Sequence, residues 1–190
     1  LGRSPFQYLE SLAFSPNGSL LASDVSGDQF RLWNVASGGQ LHAFADEDNR
    51  HTSLAFSPDG ALLAVGGGRQ GPDGSQGTLQ VWDVARRSLR YALEGHTNVV
   101  KGLSFSPDGA ELTSADEDGG IRRWSMADGQ QIDERSANQW VALLPGGWYA
   151  TYGDEEASNI FNAIDGRLEF QLDAPIAYRD LPLIAAAGTT

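Results

Sequence analysis

Residues 12–18 read LAFSPNG, residues 54–60 read LAFSPDG and residues 103–109 read LSFSPDG. A phrase that returns three times with its apolar positions, proline and glycine in place marks a structural unit rather than a single active site. Aligned on Phe14, Phe56 and Phe105, each copy is followed by a tryptophan, Trp33, Trp82 and Trp124, at intervals of 19, 26 and 19 residues. The return intervals, Trp33 to Phe56 and Trp82 to Phe105, are both 23, so the unit is 42 residues long and the second copy carries seven more. The extra residues fall within GGGRQGPDGSQG, 66–77, whose glycines and proline predict a loop. A worn fourth copy has VALLPGG at 141–147 in place of the phrase and Phe161 at the tryptophan position.

Within each copy the pattern predicts four short strands. One ends in the phrase, one follows its turn (SLLAS, ALLAV, AELTS, GWYAT), one ends at the aromatic and one lies beyond it (QLHAF, SLRYAL, QQIDE, RLEFQL). The pairs Leu12/Phe14, Leu54/Phe56, Leu103/Phe105 and Val141/Leu143 put one apolar face inward with a period of two. Pro16, Pro58 and Pro107 set φ at the exit of the first strand, and the Asn-Gly or Asp-Gly that follows supplies the positive φ of a tight reversal. Ser15, Ser57 and Ser106 therefore belong to hairpin corners, since no reaction needs one nucleophile per structural repeat.

Four strands in each of several units of about 40 to 45 residues, with Gly95-His96 opening the best copy and Trp82-Asp83 closing another, resemble the WD40 repeats of β-propellers. The resemblance covers residues 9–172, with blades expected near 9–45, 51–93, 98–134 and 139–172 and a tail or further element at 173–190. It implies an all-β fold of four-stranded blades. Only the eight residues LGRSPFQY precede the first expected strand, too few for a closing outer strand and its loop, so an open four-blade part of a larger ring is expected. Further blades would come from the same chain, another chain or a homo-oligomer. The chain starts at Leu1 rather than methionine, as a piece of a longer protein or a processed chain would.

The resemblance also implies a structural tetrad, which maps onto the third copy alone as His96, Ser114, Asp118 and Trp124. An indole N–H, a hydroxyl, an imidazole and a carboxylate satisfy one another in series. The first copy keeps Ser23 and Trp33 but has Gly27 at the aspartate position. The second has Glu47 where histidine is expected, and the fourth has Thr151 and Glu155 around Phe161. Ser, His and Asp are also the components of a hydrolase triad, but Trp124 and the family spacing assign them to the structural chain. No catalytic residue is expected, and the chain is read as a non-enzyme.

Composition narrows the partners. Thirteen basic residues against 25 acidic ones give a net charge of −12, which repels nucleic-acid phosphates. Without cysteine there is no disulfide, thiolate metal site or thiol nucleophile. No apolar run reaches the roughly 18 residues of a membrane helix, and the start lacks a signal core, so a soluble, cytoplasmic protein without membrane contact is expected. The acidic clusters DEDN at 46–49 and DED at 116–118 lack the spacing of a calcium loop and read as blade turns. His42 reads as strand surface and His51 as the start of a strand, neither with a partner at metal-ligand spacing. GGGRQGPDG lacks the Gly-Lys-Ser/Thr ending of a phosphate loop and leads into a strand. Neither cofactor nor metal is therefore expected.

In the family, partners dock on the rim of loops leading into each blade. By offset from the phrase, that rim is Gln7, Glu10, Asn49, Thr52, Asn98 and Lys101, with Glu117 beside Asp118. The expected function is a scaffold or recognition module for a protein or peptide. The alternative is the sensor part of a multidomain protein whose effector enzyme lies outside this sequence.

Overall fold

The computed structural model describes residues 11–24, 29–45, 50–71, 74–137, 140–144, 148–152, 159–162 and 167–171. The tail expected at 173–190 lies outside them. Among the described residues sixteen strands form four antiparallel sheets, each with its strands in sequence order. The first holds β1 (Leu12–Phe14), β2 (Leu20–Asp24), β3 (Gln29–Asn34) and β4 (Gln40–Ala45). The second holds β5 (Arg50–Phe56), β6 (Leu62–Gly71), β7 (Gly74–Asp83) and β8 (Ser88–Ala92). The third holds β9 (Val100–Phe105), β10 (Glu111–Asp116), β11 (Gly120–Ser125) and β12 (Gln131–Ser136). The fourth holds β13 (Trp140–Leu144), β14 (Trp148–Tyr152), β15 (Asn159–Asn162) and β16 (Leu168–Gln171). Among the described residues no helix is long and apolar enough to cross a membrane.

The opening phrase folds the same way three times. Gly18 N–H donates to Ser15 O, Gly60 to Ser57 O and Gly109 to Ser106 O, all at 2.8 Å. Each of these glycines has φ near +70°. The proline and the Asn or Asp keep negative φ, so the corner is a type I turn closed by a left-handed glycine. The serine hydroxyl is consumed in holding it. Ser57 Oγ donates to Asp59 Oδ1 (2.6 Å) and accepts from Leu62 N (2.9 Å); Ser106 does the same with Asp108 (2.6 Å) and Glu111 N (2.9 Å), and Ser15 with Asn17 (2.9 Å) and Leu20 N (2.9 Å). The serine hydroxyl, followed by the Ala61 N–H, holds the Asp59 carboxyl below its ordinary range, and Ser106 and the Ala110 N–H do the same for Asp108.

A feature that strand alternation does not disclose recurs in all four sheets. The ladder between the third and fourth strands slips by one residue just before the aromatic, between Leu32/Trp33, Val81/Trp82, Arg123/Trp124 and Ile160/Phe161. Such a bulge turns the aromatic relative to the strand axis and adds twist where the outer strand begins.

The chain divides into two compact units, Leu1–Val100 and Lys101–Thr190. In the first, one face of sheet one (Ala22, Phe30, Leu32, Phe44) packs on one face of sheet two (Leu54, Leu63, Val65), with Trp82 against it. Phe30 and Phe44 stack with centroids 4.4 Å apart, and Trp82 meets both edge-on at 5.6 and 4.9 Å. The inner strands are tied by Leu54 N–H donating to Ser11 Oγ at 3.1 Å. In the second unit Ala115, Ile121 and Tyr149 form the core with Leu143 and Phe161 against them, and Tyr149 stacks on Phe161 at 5.0 Å. Burial is the main influence on the Tyr149 phenol and raises its pKa.

The Gly-rich insertion corrects the expected loop. Strands β6 and β7 continue through it as a ladder, pairing Gly66 with Leu79, Gly67 with Thr78, Gly68 with Gly77, Arg69 with Gln76, Gln70 with Ser75 and Gly71 with Gly74. Ladder hydrogen bonds are made by the backbone, so a stretch without side chains still forms a hairpin. The glycines serve close approach. A methyl group at Gly68 would meet Val99 Cγ2 at 2.6 Å, and one at Gly77 would overlap Asn98 O and His96 Cβ.

Candidate functional site

The tryptophan network differs from blade to blade in a way set by cross-strand register. Trp124 Nε1 donates to Ser114 Oγ at 2.8 Å and Trp33 Nε1 to Ser23 Oγ at 2.8 Å. In both sheets the serine stands two residues beyond the tryptophan's cross-strand partner, Leu112 or Leu21. In sheet two Trp82 pairs with Leu63, which places Val65 at the serine position. Valine accepts no hydrogen bond, and the Trp82 indole turns instead to Gln80 Oε1 at 3.0 Å on its own strand. In sheet four the partner of Phe161 is Tyr149, and ring stacking replaces the hydrogen bond.

Of the four expected tetrad residues, Ser114 and Trp124 are joined and fully buried. His96 is buried near the end of the first unit. Asp118 is exposed on the turn after β10, and the buried carboxylate of that turn is Asp116. Asp116 Oδ1 accepts from Gly120 N at 2.8 Å and Asp118 N at 3.2 Å, so it caps the turn from inside while Asp118 faces water. A methyl group at Gly120 would meet Asp116 Oδ2 at 2.6 Å, which accounts for the glycine. The family offset from Trp124 singles out Asp118; the turn's hydrogen bonds single out Asp116.

The rim residues are held to different degrees. Gln7, Glu10 and Asn49 lie outside the described residues, as do Gly27, Glu47 and Glu155. In the first unit Thr52 Oγ1 donates to Val100 O at 2.5 Å, and Asn98 Oδ1 accepts from Val99 N at 2.7 Å. In the second unit Lys101 Nζ and Glu117 Oε1 stand 3.8 Å apart, with both side chains partly in solvent. Among the described residues no group of three or more histidine, aspartate or glutamate side chains is placed to hold a metal ion. His42 packs edge-on against Phe44 at 4.5 Å, the part of a strand residue rather than a ligand.

A cleft that sequence offsets do not reveal lies within the first unit. Its volume is about 670 Å³, and one wall is the end of the β6–β7 hairpin at Arg69 and Gln76 to Gln80. The other wall is the chain that leaves β8, Ala92 to Thr97. Strand β8 follows β7 as far as Ala92 opposite Gln80, with a last bond from Leu93 N to Leu79 O at 2.8 Å. At Gly95, with φ of 144°, the chain turns off that line in a conformation open essentially to glycine alone. Arg69 is bonded across the hairpin to Gln76 Oε1 at 3.1 Å.

Residues 40–83 and 87–125 match the family model of the WD domain, G-beta repeat. The first matched stretch starts on β4 and ends with β7 in the next sheet; the second starts beside β8 and ends with β11. Each repeat thus stitches the outer strand of one sheet to three strands of the following one. The transcriptional corepressor LEUNIG_HOMOLOG of Arabidopsis thaliana is 40% identical over 62 residues, 33% of this chain and 8% of its own length. An uncharacterized WD repeat-containing protein of Synechocystis is 37% identical over 59 residues, 30% of this chain and 17% of its own. Human apoptotic protease-activating factor 1 is 38% identical over 64 residues, 30% of this chain and 5% of its own. The solved structure of U3-55K superposes with a TM-score of 0.73 at 19% identity, over 88% of this chain and 52% of that one, which establishes likeness of fold. The WD40 repeats of RRP9 give the same values. The chain thus spans about half of these structures and a small part of the curated relatives.

Proposed function

Starting from a chain built of WD40 repeats in the β-propeller fold class, we propose that it is a non-catalytic recognition module that binds a segment of another protein. The observation that carries this reading is the division of labour among its polar side chains. The recurring serines and aspartates are spent inside hairpin corners, whereas Lys101 and Glu117 on the loop side of the second unit remain partly in solvent. Long loops and hairpins at a rigid sheet end are where binding residues concentrate, and the 670 Å³ cleft lies at such an end. Part of the proposal is that these are four blades of a larger ring, since Leu12 and Phe14 of the first sheet stand half or more exposed.

A second reading, a sensor portion of a larger multidomain protein, is favoured by the small share, 5 to 17%, that the matched stretches form of the curated relatives. Partner capture from lysate with the full chain, compared with Lys101→Ala/Glu117→Ala, tests the rim. Retention is expected to fall with the melting temperature unchanged. Undiminished capture by the double variant would remove the second unit's rim from the binding surface.

A further inference from the structure

The cleft beside β7 is the place where a sheet loses its outer strand before its third strand ends. Strand β7 runs from Gly74 to Asp83, but β8 pairs with it only over Gln80–Asp83. Among the described residues no strand pairs with Gly74–Thr78 on that side, while β6 covers their other side completely. Because Leu79 O accepts from Leu93 N, antiparallel alternation turns the backbone N–H and C=O of Gly77 and Ser75 toward the same open side. Five strand residues span about 17 Å, and the vacated space is a cleft of 670 Å³ rather than a flat margin. Its volume falls within the roughly 300 to 1,000 Å³ of ligand-binding clefts.

We propose that the open edge of β7 at Gly74–Thr78 is a strand-addition site that takes an extended peptide segment of a partner protein, running antiparallel to β7 in the line that β8 leaves. The edge itself selects the occupant, because unpaired ladder groups are matched by another extended backbone. Gly77 is packed on its Cα side against Asn98 and His96, so the addition uses only its backbone edge, which lies in the plane of the sheet. The two walls then set the sense and charge of the segment. Glu94 flanks the end where β8 departs, and Arg69, held by Gln76, stands further along the hairpin. A segment continuing the direction of β8 meets Glu94 first and Arg69 second. It therefore carries a basic residue toward its N-terminal end and an acidic residue two positions later, both on one face of the strand. This inference rests on the protein-recognition reading above and assigns it a site, a backbone mode and a partner chemistry.

The test is fluorescence anisotropy with a labelled, end-blocked hexapeptide Thr-Lys-Val-Glu-Thr-Val and the full chain. Saturable binding is expected, weakened about tenfold when the nitrogen of the first valine is methylated, since that removes a ladder donor. The variant Arg69→Glu/Glu94→Lys is expected to bind about fivefold more weakly and to recover to within about twofold when lysine and glutamate of the peptide are exchanged. That recovery also shows that the variant is folded. Absence of saturable binding at millimolar peptide, or equal binding of the methylated peptide, would overturn strand addition. If lysate capture stayed sensitive to Lys101 and Glu117 while the peptide failed to bind, the recognition reading would survive without this site.

Discussion

The triplet Leu-Ala-Phe occurs at 12–14 and again at 54–56, on inner strands of neighbouring sheets with the same turn after it, yet the two copies live in different solvents. Leu12 is 50% exposed and Phe14 is 61% exposed, whereas Leu54 is 7% exposed and lies in a core with Phe30, Phe44 and Leu63. Local sequence decides that both triplets are strands ending in a type I corner. Burial is decided by whether another sheet lies against the face, and within the first unit sheet two has such a neighbour while the outer face of sheet one has none described. In a repeat fold stability is a sum of unit and interface contributions, so the same residue has a different worth in each copy.

Truncation of the same residue in the two copies separates them most strongly. Leu54→Ala is expected to cost about 2–4 kcal/mol, read from urea unfolding, and Leu12→Ala less than about 0.5 kcal/mol. Similar losses at the two positions would mean that the outer face of sheet one is covered in solution. The hairpin tests the same idea at the glycines: Gly77→Ala is expected to cost about 1–3 kcal/mol by overpacking against Asn98 and His96. Unchanged stability would show that the chain at 96–99 yields freely. In the turn of sheet three, Asp116→Ala is expected to cost about 1–3 kcal/mol and Asp118→Ala less than about 0.5 kcal/mol. The reverse order would return the structural role to Asp118.

Smaller effects follow from the outer turns. Arg87 has φ of 55° where the corresponding turns place Gly38 and Gly129 at 66° and 76°. Arg87→Gly is therefore expected to stabilise by about 0.5–1 kcal/mol, visible as a raised urea midpoint. The smallest effect is on the acid limb. Asp59, Asp83, Asp108 and Asp128 all have folded-state pKa values below the ordinary 3.8, through bonds from Ser57, the Arg86 backbone, Ser106 and Ser125 respectively. A depressed carboxylate pKa supplies stability that is complete above the unfolded value and is lost as pH falls through the folded one. Stability is thus expected to be flat in this contribution from neutrality to about pH 5 and to decline below about pH 4. Asp59→Asn/Asp108→Asn should flatten that decline, and an unaltered acid limb would place it elsewhere.

The repeat made much of this legible. Recurrence of the phrase and its period-two faces located the strands of all four sheets, because turn chemistry at Pro16-Asn17-Gly18 and its copies is local. What escaped was whatever depends on cross-strand register. Counting ten residues back from Trp82 lands at residue 72, inside the insertion, whereas the ladder places Val65 at the serine position and sends the indole to Gln80. The insertion itself read as a loop from its glycines, although backbone pairing needs no side chains. The family offset points to Asp118, whereas the hydrogen bonds of the turn converge on Asp116. The cleft depends on where β8 stops following β7, a divergence at Gly95 that spacing alone does not encode.

Hydroxyl-radical footprinting of the full chain, resolved to single residues, tests most directly whether neighbouring sheets rather than local sequence determine burial. The rates for Leu12 and Phe14 should exceed those for Leu54 and Phe56 by several fold, following the exposure of the two triplets and holding across protein concentration. Equal, slow labelling of both triplets would contradict the account, because it would show the outer face of sheet one to be as well covered as that of its neighbour.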